Sequence, residues 1–252
     1  MCYNLSDEAC EDELQENITV RNFCRISDDS EIPDHTTLWR FEQLLTEHNL
    51  QEKLFAEQVN TLIIGGKIVK KGTLVDSSII ETSTSKRNKS KTKDESSSWT
   101  KKAGNYKHGK KIHVGVDDDS GLIHSAVATP ANEHDLHSVE ACLHGDEAYM
   151  VGDSGYLVAE NHSKKASNMN RHIMKRRSSV KKLPPRQQEL QRRHEQAIAS
   201  RRAKVEHVFG VIKGRFGWRR ERKWGMTGFE ASLFMRCVLA NIYKLSRMPR
   251  RN

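Results

Sequence analysis

The sequence predicts an α/β fold in which a mixed sheet is covered by helices. Short β-branched segments alternate along the chain with segments of helical periodicity, as expected when helices pack on a sheet. Two aspartates, Asp76 and Asp153, lie within or at the end of apolar segments typical of buried strands. The length of 252 residues and the hydrophobic content of 36% are sufficient for a sizeable core.

A helical region precedes the predicted sheet. Residues 34–64 carry apolar side chains at helical spacing, and His48-Asn49 interrupts the pattern, so we expect two helices here. We assign residues 1–66 to an N-terminal helical region and residues 67–247 to the main domain. The helical pair fits either a plain packing unit or a helix-turn-helix reader of DNA, and the sequence leaves both open.

The first strands are predicted on both sides of a basic segment. "GTLVDSSII" (72–80) is β-branched and follows a glycine, and residues 110–129 form two strands around a D-S-G turn. The alternation of Ile112, Val114 and Val116 supports the second assignment. Between them, residues 82–106 are rich in Ser and Lys and nearly free of apolar residues, which indicates a mobile basic loop.

The second half of the chain alternates helices and strands. We predict a helix over 132–145, a short buried strand within 148–156 that stops at Gly152-Asp153, and a strand in 171–177. After the Pro184-Pro185 break, a long helix is expected from about residue 187 through Glu206, and residues 228–245 form a final amphipathic helix.

The charge and cysteine content restrict the partners and the compartment. The net charge is +9, and residues 161–252 hold 25 Lys or Arg against five Glu, which favours a nucleic-acid partner. The five cysteines show no C-x-x-C spacing, so the sequence predicts neither a disulfide framework nor a zinc site. Without a signal peptide or an apolar run of roughly 20 residues, we expect a cytoplasmic protein.

Three carboxylates stand out from this basic background. A charge in an apolar strand costs several kcal/mol unless it is paired or binds a metal, which applies to Asp76 and Asp153. Glu206 lies beside the apolar stripe of its helix, within roughly 40° of Arg202 and Lys213. Each carboxylate also has a structural explanation, either a strand-end cap or an Arg202–Glu206 salt bridge. Together they predict a site for two Mg²⁺ ions about 4 Å apart that act on a phosphodiester.

These residues carry a family resemblance. Arg202, Glu206 and Lys213 fit the motif Y-x2-R-x3-E-x6-K, with Ala199 in the tyrosine position. "VGDSGY" is similar to G-D-x-G-Y, and "GTLVDSSII" to G-x-x-V-D-x-[ST]-x-I. Over roughly residues 5–245 the chain resembles DDE transposases of bacterial insertion sequences, of the insertion-sequence-five type. Members of that family usually begin earlier, so the resemblance implies a chain that is short at its N-terminus.

The resemblance implies a fold, an activity and a site. The fold is an RNase H-like mixed five-stranded sheet with helices on both faces. The activity is Mg²⁺-dependent DNA strand cleavage and strand transfer, with two ions that Mn²⁺ can replace, and with Asp76, Asp153 and Glu206 as catalytic and metal-binding residues. The partners are the element's terminal repeats and target DNA, bound by a homodimer at the bacterial nucleoid. A catalytically inactive DNA-binding relic and an RNase H-like nuclease that does not join strands remain alternatives.

Further residues are candidates for DNA contacts or for rival sites. We expect Arg202, Lys213, Lys110, Lys111 and Arg215 to bind phosphates, whereas Trp218 either stacks on unpaired bases or packs on the core. Asp117–Asp119 could supply a rival metal ligand, but three acids before Ser-Gly are more typical of a solvated hairpin turn. The rival zinc ligands are histidines without cysteine partners, and we interpret them as satisfied polar side chains: His113, His124, His134 and His137.

Overall fold

The chain begins with four helices. The computed structural model describes residues 3, 5–27, 31–84, 94–102, 104–175 and 177–249. The helices are α1 (Asp7–Glu16), α2 (Ile18–Cys24), α3 (His35–Glu47) and α4 (Leu50–Ile64). The side chains of Ser6 and Asp34 cap α1 and α3 by accepting backbone N–H groups of the first turn. The predicted break at residues 48–49 is present, with Asn49 in the left-handed conformation at φ 53°.

A seven-stranded sheet follows the helices. Its strands are β1 (Gly72–Thr82), β2 (Ser98–Lys102), β3 (Asn105–Asp117), β4 (Ile123–Pro130), β5 (Tyr149–Gly152), β6 (Asn170–Ile173) and β7 (Arg220–Glu221). β3 pairs antiparallel with β1 and with β4, whereas β5 runs parallel to β1 and β6 parallel to β5. The order β4-β3-β1-β5-β6 is consistent with an RNase H-like fold, as the sequence predicts.

The expected number of five strands is too low, because two short strands extend the sheet. β3 is 13 residues long, and β4 covers only its second half. β2 pairs with the first half and so satisfies an edge that would otherwise be open. β7 pairs with the last two residues of β1, Glu81 and Thr82.

Two local predictions are wrong. Within the expected loop 82–106, residues 98–102 and 105–106 belong to a β-hairpin, because Trp99, Thr100 and Tyr106 favour strands and Gly104 at φ 85° permits a tight turn. Residues 85–93 and 103 of that segment lie outside the described residues. The helix expected over 132–145 is reduced to a 3₁₀ turn (Asp135–Ser138) followed by the short α5 (Val139–Cys142).

The C-terminal half supplies the long helices. After the short α6 (Lys164–Ser167) and α7 (Arg177–Val180), the main elements are α8 (Pro185–Gly210) and α9 (Gly225–Leu245). Pro185 starts α8, where its missing N–H group costs nothing. One turn of π-helix, Val211–Arg215, continues α8. Within the described ranges, no helix is both long and apolar enough to cross a membrane.

Side chains that alternate along the strands build a core on each face of the sheet. Leu74 and Val151 face the larger core, to which α4, α8 and α9 contribute, whereas Val75 and Met150 face a smaller core formed with α5 and α6. Because every second residue of a strand points to the same face, Asp76 lies on the α8 side with Leu74. The helix that carries Glu206 therefore covers the face of β1 that carries Asp76.

The N-terminal helices pack onto the same core. Phe55 of α4 stacks on Phe234 of α9 at a centroid distance of 5.8 Å. The buried Asn241 of α9 accepts the backbone N–H of Ile123 at 2.8 Å, and its side-chain NH₂ donates to the Ile123 carbonyl at 2.9 Å and to Gln58 of α4 at 3.1 Å. α4, α9 and strand β4 are thus tied together, while the domain boundary between residues 66 and 67 stays a prediction.

Candidate active site

Asp76 and Asp153 come together where two parallel strands separate. β5 pairs with β1 only over Gly72–Leu74, with Leu74 opposite Val151, and β5 ends at Gly152. Two residues further along each strand, the same register places Asp153 beside Asp76, and adjacent strands are about 4.8 Å apart. The charge of Asp153 is close enough to act on the pKa of Asp76, so the two carboxylates lie near each other where β1 and β5 diverge, a region that we call the cleft.

Asp76 is a desolvated carboxylate. Its side chain is 14% exposed, accepts the Ser77 N–H at 2.8 Å, and lies 3.0 Å from Nη2 of Arg202. Burial raises the pKa of Asp76 above its ordinary value, and the nearby negative charge of Asp153 acts in the same direction, while Arg202 opposes both. A second cation at this position would therefore stabilise the ionised form.

Glu206 lies on the exposed side of the same arginine. Its side chain is 63% exposed, and Oε1 is 4.0 Å from the Arg202 nitrogen that contacts Asp76. The separation of the Asp76 and Glu206 carboxylates is therefore no greater than the sum of those two distances. Val205 and Val208 are buried in the core and fix the rotation of α8, so Arg202 and Glu206 face β1. Arg202 thus lies between Asp76 and Glu206, but among the described residues the donor atoms of Asp76, Asp153 and Glu206 do not all lie within 4.8 Å of one another.

Lys213 reaches the open edge of β1. Between the β5 and β7 pairings, residues 75–80 of β1 have no strand partner on this side, and the Lys213 ammonium donates to the Ile79 carbonyl at 2.5 Å. Burial lowers the pKa of Lys213 to about 8, with further lowering by the charges of Lys102 and Lys107. The lysine is therefore charged but easily deprotonated just above neutral pH.

Two predicted DNA contacts are wrong because the side chains are buried. The Trp218 ring is 2% exposed, packs 5.2 Å from the Phe229 ring, and donates from Nε1 to Glu221 at 3.0 Å. The Lys110 side chain is fully buried and donates to Asp94 at 2.8 Å and to the Gly225 carbonyl at 2.6 Å. Neither side chain has a surface left for a base or a phosphate.

The other predicted cations differ in their availability. Lys111 is 12% exposed and donates to Asp135 and to the Glu133 carbonyl, so its charge is already neutralised. Arg215 is exposed, with its guanidinium 4.8 Å from the ring centroid of Tyr243. Arg215 is therefore available to bind a phosphate, whereas the Lys111 ammonium is used in contacts within the protein.

The β2–β3 hairpin presents an aromatic and basic surface that sequence analysis missed. Trp99 is 55% exposed and Tyr106 is 70% exposed, which is unusual for large aromatic rings. Lys101 lies 5.5 Å from the Tyr106 ring centroid, and Lys102 and Lys107 are close enough to affect the pKa of Lys213. Interleaved aromatic and basic residues in "SWTKKAGNYK" were the available signal.

Asp135 is a further carboxylate near the cleft that sequence reasoning did not select. Its Oδ1 accepts from Lys111 at 2.8 Å, and burial, which raises its pKa, is outweighed by the Lys111 hydrogen bond and charge. A Cβ atom placed on Gly155 would lie 2.9 Å from Oδ1 of Asp153 and 3.8 Å from Oδ2 of Asp135, so Gly155 separates the two acids. The available signal was the polar run "NEHD" directly after a strand.

The rival acids Asp117, Asp118 and Asp119 serve the opposite end of β1. Asp117 pairs in register with Thr73 and accepts N–H groups of Val69, Lys70 and Ser120. Asp118 accepts from the Tyr149 hydroxyl at 2.8 Å, and Asp119 is exposed. These contacts are those of a capped hairpin turn. The prediction of a solvated turn is wrong for Asp117 and Asp118, which are buried.

Two family models match this chain. One, described as a transposase DDE domain, matches residues 68–242, which is more than half of the chain and includes Asp76, Asp153 and Glu206. The chain belongs to the DDE transposase family. The second model, described as a transposase domain (DUF772), matches residues 1–44 of this DDE transposase. The family implies a DNA-transposing polynucleotidyl transferase that binds DNA and normally uses a divalent metal.

The donor set of the cleft fits a hard divalent cation. Carboxylate oxygens are the ligands that Mg²⁺ prefers, and Asp76 and Asp153 offer them at adjacent positions. The raised pKa of Asp76 shows that this carboxylate is insufficiently compensated by Arg202 alone. The Glu206 side chain is 63% exposed and would have to turn toward the two aspartates to share an ion with them.

Replacement of Asp76 by Asn is expected to stabilise the fold at neutral pH. A carboxyl group whose pKa is raised by folding stabilises the protein below its unfolded pKa, and this contribution is lost as the pH rises through the folded pKa. We therefore expect Asp76→Asn to unfold at a higher urea concentration than the wild-type protein at pH 7, with a free energy of unfolding larger by about 1 kcal/mol. Near pH 4 the two proteins should differ little. Asp119→Asn at the exposed turn is the matched control, with a change under about 0.5 kcal/mol. A less stable Asp76→Asn protein at pH 7 would contradict this account.

Proposed function

We propose that this DDE transposase catalyses Mg²⁺-dependent cleavage and strand transfer of an insertion sequence of the insertion-sequence-five type. The observation that carries the proposal is the proximity of Asp153 to the buried Asp76 where β1 and β5 diverge, with Arg202 3.0 Å from Asp76 and 4.0 Å from Glu206. Carboxylates from two strands and one helix can all reach one scissile phosphate. The arrangement is otherwise costly, since it places like charges side by side.

Asp76, Asp153 and Glu206 would hold the divalent ions in this proposal. Two such ions, when bound, lower the pKa of the attacking water or 3′-hydroxyl and stabilise the charge that develops on phosphodiester oxygens. Asp153 also accepts the Gly155 N–H at 2.7 Å, which fixes the direction of its carboxylate. The Ser77 N–H has the same effect on Asp76. The two aspartates are thus oriented before any ligand arrives.

Cations of the chain would hold the DNA backbone over these carboxylates. Arg202 lies between Asp76 and Glu206 and orients Asp76, and only the exposed 15% of its side chain can meet a phosphate. Lys213 is anchored on the Ile79 carbonyl at the border of the cleft. Arg215 follows in the next positions and is exposed. These groups bind phosphates of either strand without regard to sequence.

The β2–β3 hairpin extends this surface with rings that can stack on bases. Unpaired bases at a cleaved end expose flat faces, and Trp99 and Tyr106 are exposed enough to meet them. Lys101, Lys102 and Lys107 supply the charge that retains a nucleic-acid strand along the hairpin. We further propose that paired element ends are bound by a homodimer, since strand transfer joins two ends to one target.

Asp153→Asn is expected to abolish DNA cleavage while leaving the protein folded. Loss of one carboxylate removes charge stabilisation worth several kcal/mol, so cleavage should fall at least about a thousandfold. The substrate is a plasmid that carries this reading frame with its native flanking sequence, incubated with Mg²⁺ and analysed for nicks and for newly joined ends. The control is Asp119→Asn, because Asp119 is exposed at the other end of β1.

The results of that assay distinguish a transposase from a nuclease and from a DNA-binding protein without activity. Nicks and joined ends with the wild-type protein, lost in Asp153→Asn and retained in Asp119→Asn, support strand transfer. Nicks without joined ends indicate a nuclease, and DNA binding without nicks indicates a binding protein only. Equal cleavage by Asp153→Asn would remove Asp153 from the site.

DNA affinity is expected to decrease between pH 7 and pH 9 through deprotonation of Lys213. Its pKa of about 8, which burial lowers, leaves roughly a tenth of the lysine charged at pH 9, so affinity should fall by up to about tenfold. Lys213→Arg keeps a charge that does not titrate in this range and should flatten the profile. Fluorescence anisotropy at constant ionic strength measures both proteins, and parallel profiles would show that Lys213 does not contact DNA.

Trp99→Ala is expected to weaken binding to DNA with unpaired ends at least about fivefold, because one stacked base is worth roughly 1–3 kcal/mol. Stacking releases no counterions, so the salt dependence of binding should stay unchanged. Lys101→Ala should instead lower the slope of log affinity against log salt by about one. Trp99→Phe retains a ring and should recover most of the affinity. Unaltered binding by Trp99→Ala would exclude the hairpin from the DNA surface.

A further inference from the structure

A second group of possible metal ligands lies away from the aspartate cleft. His124 in β4, His144 in the segment after α5, and Glu147 just before β5 each offer one donor atom, and these atoms all lie within 4.8 Å of one another. The side chain of Thr73 in β1 contacts the same group. Thr73 and Asp76 differ by three positions in β1, so their side chains point to opposite faces of the sheet. The two groups of residues are therefore separate.

The donor atoms have the spacing of ligands that share one small ion. Nε2 of His144 is 3.4 Å from Oε1 of Glu147. Two ligands bound to Zn²⁺ at 2.0–2.1 Å in a tetrahedron are about 3.3–3.4 Å apart. The same His144 nitrogen is buried and has no hydrogen-bond partner, although a buried ring nitrogen normally has one. The Glu147 oxygen lies close by, but 3.4 Å is a long distance for a hydrogen bond.

The second donor pair is bridged by a hydroxyl group. Nε2 of His124 is 3.0 Å from Oγ1 of Thr73, and that hydroxyl donates to Oε1 of Glu147 at 3.0 Å. The Thr73 hydroxyl thus joins His124 to Glu147 through two hydrogen bonds. A metal ion between the nitrogen and the carboxylate would replace this bridge and would also satisfy His144.

The surroundings hold these ligands in position. The Glu147 carboxylate accepts the backbone N–H groups of His144 and Gly145 at 2.8 and 2.7 Å. Coordination through Nε2 puts the imidazole proton on Nδ1, where the Ser125 hydroxyl, 2.8 Å from His124, can accept it. In the structure, Nδ1 of His144 accepts the backbone N–H of Asp146 at 3.2 Å. With a metal on Nε2, Nδ1 would carry the proton and could donate it to the Asp146 carboxylate, which is 4.0 Å away.

The donor types also favour a transition metal. Neutral imidazole is the form of histidine that binds metals. The Glu147 side chain has no exposed surface. Two neutral nitrogens and one carboxylate are a donor set that suits Zn²⁺ better than Mg²⁺.

We propose that His124, His144 and Glu147 form a binding site for Zn²⁺ or a similar late first-row divalent ion, separate from the Asp76–Asp153 cleft. The ion would connect β4 to the segment that leads into β5. Because Asp153 directly follows β5, this connection would hold the position of one catalytic carboxylate without touching substrate. Three protein ligands leave the fourth position of a tetrahedral ion to water, and metal binding at this site does not depend on the proposed transposase activity.

The test measures metal binding directly. Protein freed of metal by chelation is titrated with Zn²⁺ in buffer that contains millimolar Mg²⁺, which occupies hard carboxylate sites and leaves histidine sites available. We expect one equivalent of Zn²⁺ with a dissociation constant below about 1 µM, and an increase in Tm of several degrees, because the ion binds only the folded state. Co²⁺ in place of Zn²⁺ should produce visible absorption bands of a nitrogen-ligated ion.

Matched variants decide whether the bound ion is at this site. His144→Gln is chosen because the His144 side chain is 13% exposed, so the substitution is tolerated better than one at His124. It should lose the stoichiometric Zn²⁺, the Co²⁺ spectrum and the Tm increase, while its circular dichroism stays native; Glu147→Gln is the second variant. His137→Gln is the control, because His137 is an exposed histidine beside Glu133.

Two outcomes would overturn the proposal. One is the absence of stoichiometric Zn²⁺ binding by the wild-type protein, and the other is binding that survives in both His144→Gln and Glu147→Gln. Loss of Zn²⁺ binding in His137→Gln alone would place the ion at the exposed histidines instead. An inactive Asp153→Asn protein that still binds Zn²⁺ would separate this site from the proposed activity.

Discussion

The contact between Arg202 and Asp76 is the interaction on which the architecture of the cleft depends. A carboxylate in the middle of a buried strand requires a cation, and the pKa of Asp76 is raised even with the guanidinium 3.0 Å away. The apolar residues of α8 pack on the sheet and hold Arg202 over β1. The position of α8 on the sheet thus determines how its apolar residues pack and how Arg202 compensates the charge of Asp76. It also determines where Glu206 lies, four residues after Arg202.

The separation of β1 from β5 is the second constraint. Only three residues of the two strands pair, and beyond them the backbone of β1 is satisfied by side chains, with Ser77 N–H donating to Asp76 and Lys213 donating to Ile79. The pairing ends at Leu74 and Val151, two residues before Asp76 and Asp153. A longer pairing would close the cleft, and an earlier separation would part the carboxylates.

The order of the strands and helices could be predicted because it depends on local patterns, whereas the joint role of Asp76, Asp153 and Glu206 stays a prediction. β-branched runs, the glycines beside Asp153 and the spacing of Arg202 and Glu206 are all visible in the sequence. The availability of single side chains is a tertiary property and could not be predicted. Lys110 and Trp218 belong to basic, exposed-looking segments but enter the core, where Asp94 and Glu221 pair with them. The hairpin at 98–106 was hidden by its lysines, since charge masks strand propensity.

The π-helical turn Val211–Arg215 lies between Glu206 and the end of the site, with Lys213 at its centre. A π-helical turn contains about one residue more than an α-helical turn. The extra residue changes the rotation of the following positions around the helix axis and so determines the direction of the Lys213 side chain. The number of residues between Glu206 and Lys213 therefore fixes where the ammonium lies relative to the glutamate. An inserted or deleted residue there would turn Lys213 away from the Ile79 carbonyl, whereas a substitution at an exposed position would leave its direction unchanged.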